Sequence, residues 1–285
     1  MQNFGKAVPT VKLNNGVEMP ILGFGVFQIE GEKCEQAVLD AIEVGYRLID
    51  TAQAYYNEEF VGKALKKCDV SRSDIFLTTK IWVTEHTYNK AKKSIIESMK
   101  KLQTDYLDLV LIHQPLSDYY SAYHCMEDLY KEGLIRAIGI SNFSSERMVD
   151  LSTFNEIKPA INQIETHMFF QQYEANEWMK KYNVQHEAWG PLSQHRINEV
   201  MNNPILKEFA EKYKKTPTQI ALKSLIQRKI VVIPKTVDKN RMRENIDLFD
   251  FELNESEIKR IRSIDENKSM WCEYDNPEIV QMAMS

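Results

Sequence analysis

Short apolar runs alternate with longer amphipathic segments along most of the chain. Eight runs rich in Val, Ile and Leu predict β-strands at residues 22–27, 46–50, 75–81, 106–113, 135–141, 160–165, 184–189 and 230–234. Seven segments with apolar residues at helical spacing predict α-helices at residues 32–44, 58–68, 89–102, 121–132, 144–154, 172–182 and 217–229. Thr216 is predicted to cap the last of these helices, with Pro217 at its first position.

The order of these elements predicts the fold. Nearly continuous apolar strands that alternate with helices indicate a parallel sheet buried on both faces. Eight repeats favour closure into an α/β fold of the (β/α)8 TIM barrel type over an open sheet. Asn15-Gly16 predicts the turn of an N-terminal β-hairpin. We expect residues 1–285 to form one domain, with the C-terminal tail beyond residue 266 lying over the active-site end.

Composition narrows the possible partners and compartments. With 43% hydrophobic and 27% charged residues, the chain resembles an ordinary soluble globular protein. Its net charge of −5 gives no reason to expect nucleic acid or an anionic membrane as partner. We find neither a secretory signal nor an apolar segment of about 20 residues that could cross a bilayer. Four widely spaced cysteines favour reduced thiols over a disulfide framework or a metal site, which predicts a cytoplasmic protein.

Four titratable residues lie where predicted strands end or just beyond. Asp50, Lys80 and His113 end three apolar runs, and Tyr55 follows Asp50 by five residues. Taken singly, they could be a helix cap, its ion-pair partner, a core histidine and a loop aromatic. The carboxyl-terminal ends of the strands in a barrel form one active-site face, so we expect the four side chains to lie together.

Together they could carry out proton transfer to a carbonyl. A tyrosine hydroxyl has a pKa of about 10, and a neighbouring lysine lowers it while a carboxylate orients the lysine. A histidine can donate a hydrogen bond to the polarised carbonyl oxygen. This set suits protonation of a carbonyl oxygen while its carbon accepts hydride. An alternative makes Lys80 a Schiff-base nucleophile of an aldolase-type barrel, which leaves the basic cluster at residues 235–245 without a purpose.

Four longer motifs carry a family resemblance. GYRLIDTAQAYYNEEFVG (45–62), LVLIHQP (109–115), GLIRAIGISNFS (133–144) and IPKTVDKNRMRENI (233–246) resemble motifs of the aldo-keto reductases, in the same order. The resemblance runs from the first hairpin to about residue 265 and is closest to the short-loop microbial type. It implies an oxidoreductase that uses NADPH to reduce small aldehydes or ketones to alcohols.

The resemblance also implies a role for each matching residue. Tyr55 would be the general acid, Lys80 would lower its pKa, Asp50 would pair with Lys80, and His113 would orient the substrate carbonyl. The residues implied to bind the cofactor are Ser141, Asn142, Gln163, Trp189, Gly190, Leu192, Lys235, Thr236, Val237, Arg241, Glu244 and Asn245. Of these, Ser141, Asn142 and Gln163 would contact the nicotinamide amide, and Trp189 would stack on the nicotinamide. The residues that would hold the adenosine end are Lys235, Thr236, Arg241 and Asn245, with Lys235 and Arg241 at the 2′-phosphate. A Rossmann motif is excluded, because Gln28 stands where a third glycine would follow Gly23 and Gly25.

The expected substrate pocket is mainly aromatic. Its predicted lining residues are Phe24, Trp82, His113, Tyr119 and Trp271. Such walls suit a small carbonyl compound, and methylglyoxal-like dicarbonyls, other aldehydes, keto-sugar acids and prostaglandin-type substrates all remain open. A self-contained barrel can act as a monomer. A catalytically silent NADPH-binding or structural barrel is the alternative function, against which the complete catalytic set argues.

Two departures from the family pattern concern the cofactor. Gly190 replaces a serine that often follows the stacking aromatic, so one contact could be lost or supplied by the backbone. The loop after Leu192 is short, and we therefore expect no long segment clasping the cofactor and a faster exchange of NADPH.

Overall fold

The computed structural model describes residues 8–271 and 276–284 of the chain. Its strands are β1 (Thr10–Lys12), β2 (Glu18–Pro20), β3 (Phe24–Gly25), β4 (Leu48–Asp50), β5 (Phe76–Ile81), β6 (Leu109–Ile112), β7 (Ile138–Ser141), β8 (Ile161–Glu165), β9 (Gln185–Trp189) and β10 (Val231–Val232). Its helices are α1 (Gly31–Val44), α2 (Glu58–Lys67), α3 (Tyr88–Lys101), α4 (Tyr119–Lys131), α5 (Ser145–Phe154), α6 (Tyr173–Tyr182), α7 (Ile197–Asn202), α8 (Pro204–Tyr213), α9 (Pro217–Gln227), α10 (Lys239–Ile246), α11 (Glu255–Arg262) and α12 (Pro277–Met284). Short 3-10 turns lie at Gln53–Tyr55, Arg72–Asp74, Val83–Glu85 and Gln194–Arg196.

Strands β3 to β10 form one sheet in which each strand pairs in parallel with its neighbour in sequence. A parallel bridge between Leu22 and Val232 joins the start of the sheet to its end, and the Gly23 N–H donates to the Val232 carbonyl at 2.8 Å. The sheet is therefore closed, with helices on its outer side. The predicted (β/α)8 barrel is confirmed.

The hairpin of β1 and β2 covers the amino-terminal end of the barrel. Gly16 has a φ of +89°, and its N–H donates to the Leu13 carbonyl at 2.9 Å, so the predicted Asn15-Gly16 turn is confirmed. The amides of Asn14 and Asn15 donate to the carbonyls of Pro159 and Arg136, which precede β8 and β7. This end of the barrel is opposite the strand ends that carry the candidate catalytic residues.

All seven predicted helices are present with bounds within about two residues of those expected. The Thr216 side chain accepts from the Gln219 N–H, and Pro217 occupies the first helical position, as predicted. Among the described residues, helices α7, α8, α10, α11 and α12 lie outside these seven segments. Helix α8 begins with the same kind of local signal, because the Asn203 side chain caps it and a proline follows.

Phe24 faces the helices rather than the substrate side. It is paired in register with Ile49, one position before Asp50, and its ring lies edge-on to the buried Tyr46 at 5.7 Å between centroids. Successive side chains of a strand point to opposite faces, so Phe24 lies on the face opposite Asp50, and it is fully buried. The prediction that Phe24 lines the pocket is wrong for this reason.

The C-terminal tail lies at the carboxyl-terminal end of the barrel. The Glu266 N–H donates to the carbonyl of Phe169, which follows β8, and the described part of the tail ends in α12. Cys272, part of the predicted tail and the N-terminal residues 1–7 lie outside the described residues. None of the helices in the described ranges is long and apolar enough to span a membrane.

Candidate active site

The structure brings Asp50, Lys80 and Tyr55 into contact. Lys80 on β5 donates to Asp50 Oδ1 on the neighbouring β4 at 2.5 Å and to the Thr51 carbonyl at 3.0 Å. Its ammonium also lies 3.3 Å from the Tyr55 hydroxyl, which is presented by a 3-10 turn just beyond β4. Lys80 is fully buried and Asp50 is 2% exposed, so the ion pair is screened from water.

Burial governs the proton affinity of this group. Desolvation is the largest single effect and lowers the pKa of Lys80, but the charge and hydrogen bond of Asp50, together with Tyr55 and Glu187, outweigh it. The net pKa is therefore raised, which keeps the lysine an ammonium. Burial raises the pKa of Tyr55, and Lys80 lowers it by a smaller amount. The expected lowering by Lys80 is present but is not the dominant effect. Tyr55 therefore stays protonated at neutral pH and can act as a proton donor.

His113 completes the group at the end of β6. Its ring lies edge-on to Tyr55 and to Trp82, with centroids 5.7 Å and 5.1 Å away. Burial, followed by the charge of Lys80, holds the pKa of His113 well below its usual range, so its imidazole is neutral. A neutral imidazole keeps one N–H with which to donate to a carbonyl oxygen beside Tyr55.

Asn142 links the histidine to the predicted stacking residue. It has a φ of +64°, a left-handed conformation that asparagine tolerates better than most residues. Its Nδ2 donates to the His113 carbonyl at 3.0 Å, and its Oδ1 accepts from Trp189 Nε1 at 2.8 Å. One side chain thus holds both the backbone of His113 and the indole of Trp189.

Ser141 and Gln163 lie on the other side of the same group. The Gln163 amide donates to Asp50 Oδ2 at 2.8 Å, and the Ser141 hydroxyl donates to the Gln163 carbonyl at 2.9 Å. Both residues are buried. The three residues predicted to contact the nicotinamide amide are therefore adjacent to the candidate catalytic group.

Tyr55 belongs to a cluster of aromatic rings in contact with one another. Phe27, on the loop after β3, lies 4.9 Å from the Tyr55 ring and 6.1 Å from Trp271, which is itself 6.2 Å from Trp189. Trp82 stands on the His113 side. The ring contacts of Tyr119 are with Tyr120 and Phe143, beside Asn142. Phe27, which the sequence analysis did not identify, occupies the place expected for Phe24, because it follows the strand and is free to turn toward the site.

The side chains of Glu165 and Arg196 hold the tail that carries Trp271. Glu165, at the end of β8, accepts from the Ser269 hydroxyl at 2.5 Å and from the Met270 N–H at 2.9 Å. Arg196, in the segment after β9, donates to both carboxylate oxygens of Glu266 at 2.8 and 2.7 Å. Together they fix the tail so that Trp271 stands between Phe27 and Trp189.

The predicted basic cluster lies beyond β10, around the start of α10. Asp238 caps this helix by accepting from the N–H groups of Asn240 and Arg241. Within residues 8–271 and 276–284, neither the Lys235 ammonium nor the Arg241 guanidinium has an ion-pair or hydrogen-bond partner. These two exposed cations are thus available to an anion.

The other residues predicted to bind the cofactor beyond β10 differ in exposure and in their contacts. Asn245 is buried, Val237 is 61% exposed, and the Thr236 hydroxyl accepts from the Asp238 N–H at 3.1 Å. The Glu244 carboxylate accepts from the hydroxyls of Thr216 and Thr218, both at 2.8 Å, and so joins α10 to α9.

Comparison with known proteins identifies the lineage of this site. The profile of the Aldo/keto reductase family matches residues 21–266. The chain belongs to the aldo/keto reductase family. It is 42% identical over 268 residues to the methylglyoxal reductase DkgA of Escherichia coli (strain K12), covering 93% of this chain and 96% of that protein.

Solved structures of other aldo-keto reductases share the fold. MGS-M4, from a Medee basin deep-sea metagenome library, superposes with a TM-score of 0.92 at 43% identity, covering 93% of this chain and 98% of that one. The Bombyx mori aldo-keto reductase AKR2E4, solved in complex with NADP, superposes with a TM-score of 0.88 at 33% identity, covering 93% of this chain and 95% of that one.

The residues around Trp189 fit the nicotinamide cofactor of this family. Ser193, in the loop after β9, has a buried hydroxyl without a hydrogen-bond partner among the described residues, as a group that awaits a polar ligand would. Gly190 has a φ of +61°, which glycine adopts more readily than serine. The glycine that departs from the family pattern is thus explained by the backbone of this loop. The same segment continues into a 3-10 turn and α7, where the sequence pattern predicts a loop.

Two buried carboxylates of the site were also missed. Glu165 ends β8, and Glu187 lies within β9. Each is an acidic residue in a run that predicts a buried strand, and this was a signal that could have found them, because a charge in such a position requires a partner or a function.

Proposed function

We propose that this chain reduces the carbonyl of small aldehydes and ketones to alcohols with NADPH, and that Tyr55 donates the proton. The observation that carries the proposal is the buried contact of Lys80 with both Asp50 and Tyr55, which provides a protonated donor beside a fixed positive charge. We further propose that residues 1–285 form one domain and that the enzyme is a cytoplasmic monomer.

Each of the four catalytic side chains would have a separate role in proton transfer. Bound NADPH supplies the hydride. Tyr55 gives its proton to the carbonyl oxygen, and the Lys80 ammonium stabilises the phenolate that remains. Asp50 holds Lys80 in place, while neutral His113 donates a hydrogen bond to the same oxygen and thereby orients the substrate.

The cofactor would bind along the ends of β7 to β10. Trp189, held by Asn142, offers a face for the nicotinamide, and Ser141 and Gln163 lie beside it. Gly190 and Leu192 would lie next to the pyrophosphate of the cofactor. At the adenosine end the proposed contacts are Lys235, Thr236, Val237, Arg241, Glu244 and Asn245, of which Lys235 and Arg241 would bind the 2′-phosphate that distinguishes NADPH from NADH.

The substrate would bind between Phe27, Trp82 and Trp271, with Tyr119 at the edge of the pocket. A cluster of aromatic rings beside Tyr55 favours a compact molecule that exposes a reactive carbonyl. The E. coli relative is a methylglyoxal reductase. We therefore propose that methylglyoxal and similar small dicarbonyls are among the substrates.

The decisive test is Tyr55→Phe. This change removes the hydroxyl and leaves the Lys80 contacts with Asp50 and Thr51 in place. We expect the rate of NADPH oxidation by methylglyoxal to fall by about 10²–10⁴-fold. NADPH affinity, measured by fluorescence titration, should stay within about twofold. Turnover close to that of the wild type would reject Tyr55 as the donor, and binding of NADPH without turnover by either protein would favour a catalytically silent module.

A further inference from the structure

Glu187 is a buried acid that the proposed mechanism does not use. It lies in the middle of β9 and is fully buried. Among the described residues, no group makes a hydrogen bond of normal geometry to either carboxylate oxygen. A carboxylate without partners in such a place is costly, so the side chain favours its neutral, protonated form.

The position of Glu187 connects it to the catalytic group. It is paired in register with Gln163 on β8, whose amide donates to Asp50 at 2.8 Å. Glu187 interacts electrostatically with three titratable groups, which are Asp50 on β4, Lys80 on β5 and Tyr55 in the turn after β4. On the other side, β10 contributes Val231 as the register partner.

His186, the neighbour of Glu187 on the same strand, points away. Its ring bonds to Thr166 and to Asn176 of α6, on the helical side of the sheet.

Burial, then the neighbouring Asp50 carboxylate, raise the pKa of Glu187 to about 8, while Gln163 and Lys80 act in the opposite direction. The acid would therefore change its charge inside the pH range in which the enzyme can be assayed.

We propose that Glu187 is a positioning residue for proton transfer, which acts through Tyr55 and rests on the reductase function proposed above. While Glu187 is neutral, the buried group holds one ammonium, one carboxylate and the Tyr55 hydroxyl. When Glu187 ionises, a second negative charge opposes the phenolate that Tyr55 must become, so Tyr55 is a weaker donor. Glu187 thus makes the reductase less active in alkaline solution.

The kinetic test compares the wild type with Glu187→Gln, which keeps the size of the side chain and cannot ionise. We expect kcat/KM for methylglyoxal reduction to be equal in the two proteins below about pH 7. Above about pH 8 the wild type should fall by about threefold, on the estimate that one buried charge shifts the pKa of Tyr55 by roughly one unit and that proton transfer is half complete in the transition state. Glu187→Gln should not show this alkaline decrease in kcat/KM.

Glu58→Gln is the matched control. Glu58 is also a buried glutamate with a raised pKa, but it bonds to the Thr79 hydroxyl at 2.7 Å, one position from Lys80 and on the opposite face of β5. Glu58→Gln should show the same alkaline decrease in kcat/KM as the wild type. An alkaline decrease in kcat/KM that persists in Glu187→Gln would overturn the proposal. An equal loss of kcat/KM at every pH in Glu187→Gln would also overturn it, because that is the result expected of a residue that only packs.

A stability measurement tests the protonation of Glu187 without turnover. Since folding raises its pKa, the folded state binds this proton more tightly, and the stability due to it is lost as pH rises from roughly 4 to 8. The Tm of Glu187→Gln relative to the wild type should therefore be higher at about pH 9 than at about pH 5. A constant difference would overturn the inference while leaving the reductase function intact, whereas a wild type that fails to reduce any carbonyl would contradict the proposed function itself.

Discussion

The buried ion pair between Lys80 and Asp50 makes a quantitative prediction about folding. Lys80→Met keeps much of the length of the side chain and removes its charge. Asp50 would then be a buried carboxylate that keeps the Gln163 amide as a hydrogen-bond donor but loses its counter-ion. The change therefore probes the cost of leaving one charge without its partner.

The expected magnitude follows from the burial of both groups. Lys80 is fully buried and Asp50 is 2% exposed, and removal of one member of such a pair costs about 3–5 kcal/mol. Asp50→Asn should cost a similar amount, because it leaves a buried ammonium with two neutral oxygen neighbours, the Thr51 carbonyl and the Tyr55 hydroxyl. The double variant removes both charges, so its loss should fall short of the sum of the single losses by about 1–3 kcal/mol.

Urea unfolding at neutral pH measures these differences. Tryptophan fluorescence and far-UV circular dichroism should be recorded together, since coincident transitions establish that one free energy of unfolding describes the chain. Lys63→Met is the control, because the Lys63–Glu59 pair is exposed on α2 and its loss should cost no more than about 0.5 kcal/mol. Single variants at Lys80 and Asp50 that lose under about 1 kcal/mol, or losses that simply add in the double variant, would refute the argument.

Two further predictions concern ligands. Arg241→Ala should weaken NADPH by about tenfold or more and leave NADH nearly unchanged, because only NADPH has the 2′-phosphate; fluorescence titrations that show equal weakening of both would place the phosphate elsewhere. Ser269→Ala removes a hydrogen bond to the Glu165 carboxylate, worth about 1.5–3 kcal/mol, and should free Trp271. Steady-state assays should then show a KM for methylglyoxal raised severalfold with kcat nearly constant, and an unchanged KM would show that Trp271 is not part of the pocket.

Much of the fold could be predicted from local pattern. The seven expected helices match observed ones because amphipathic spacing and N-terminal signals such as Thr216-Pro217 act within one element. Helices α7, α8 and α11 were not predicted, although Asn203-Pro204 and the Asn254 capping box are N-terminal signals of the same kind. The error at Phe24 had a different origin, because the face that a residue presents depends on strand register.

The sequence by itself determined the repeat of eight strands, the polar residues at their carboxyl ends and the family motifs, since each is written in contiguous residues. Only the tertiary structure decided how these residues act on one another. Burial outweighs Lys80 in setting the pKa of Tyr55, and it makes Glu187 a weak acid. The reason is physical: desolvation and charge–charge interaction depend on distance and on exclusion of water, and chain closure brings residues as far apart as Asp50 and Gln163 within 2.8 Å.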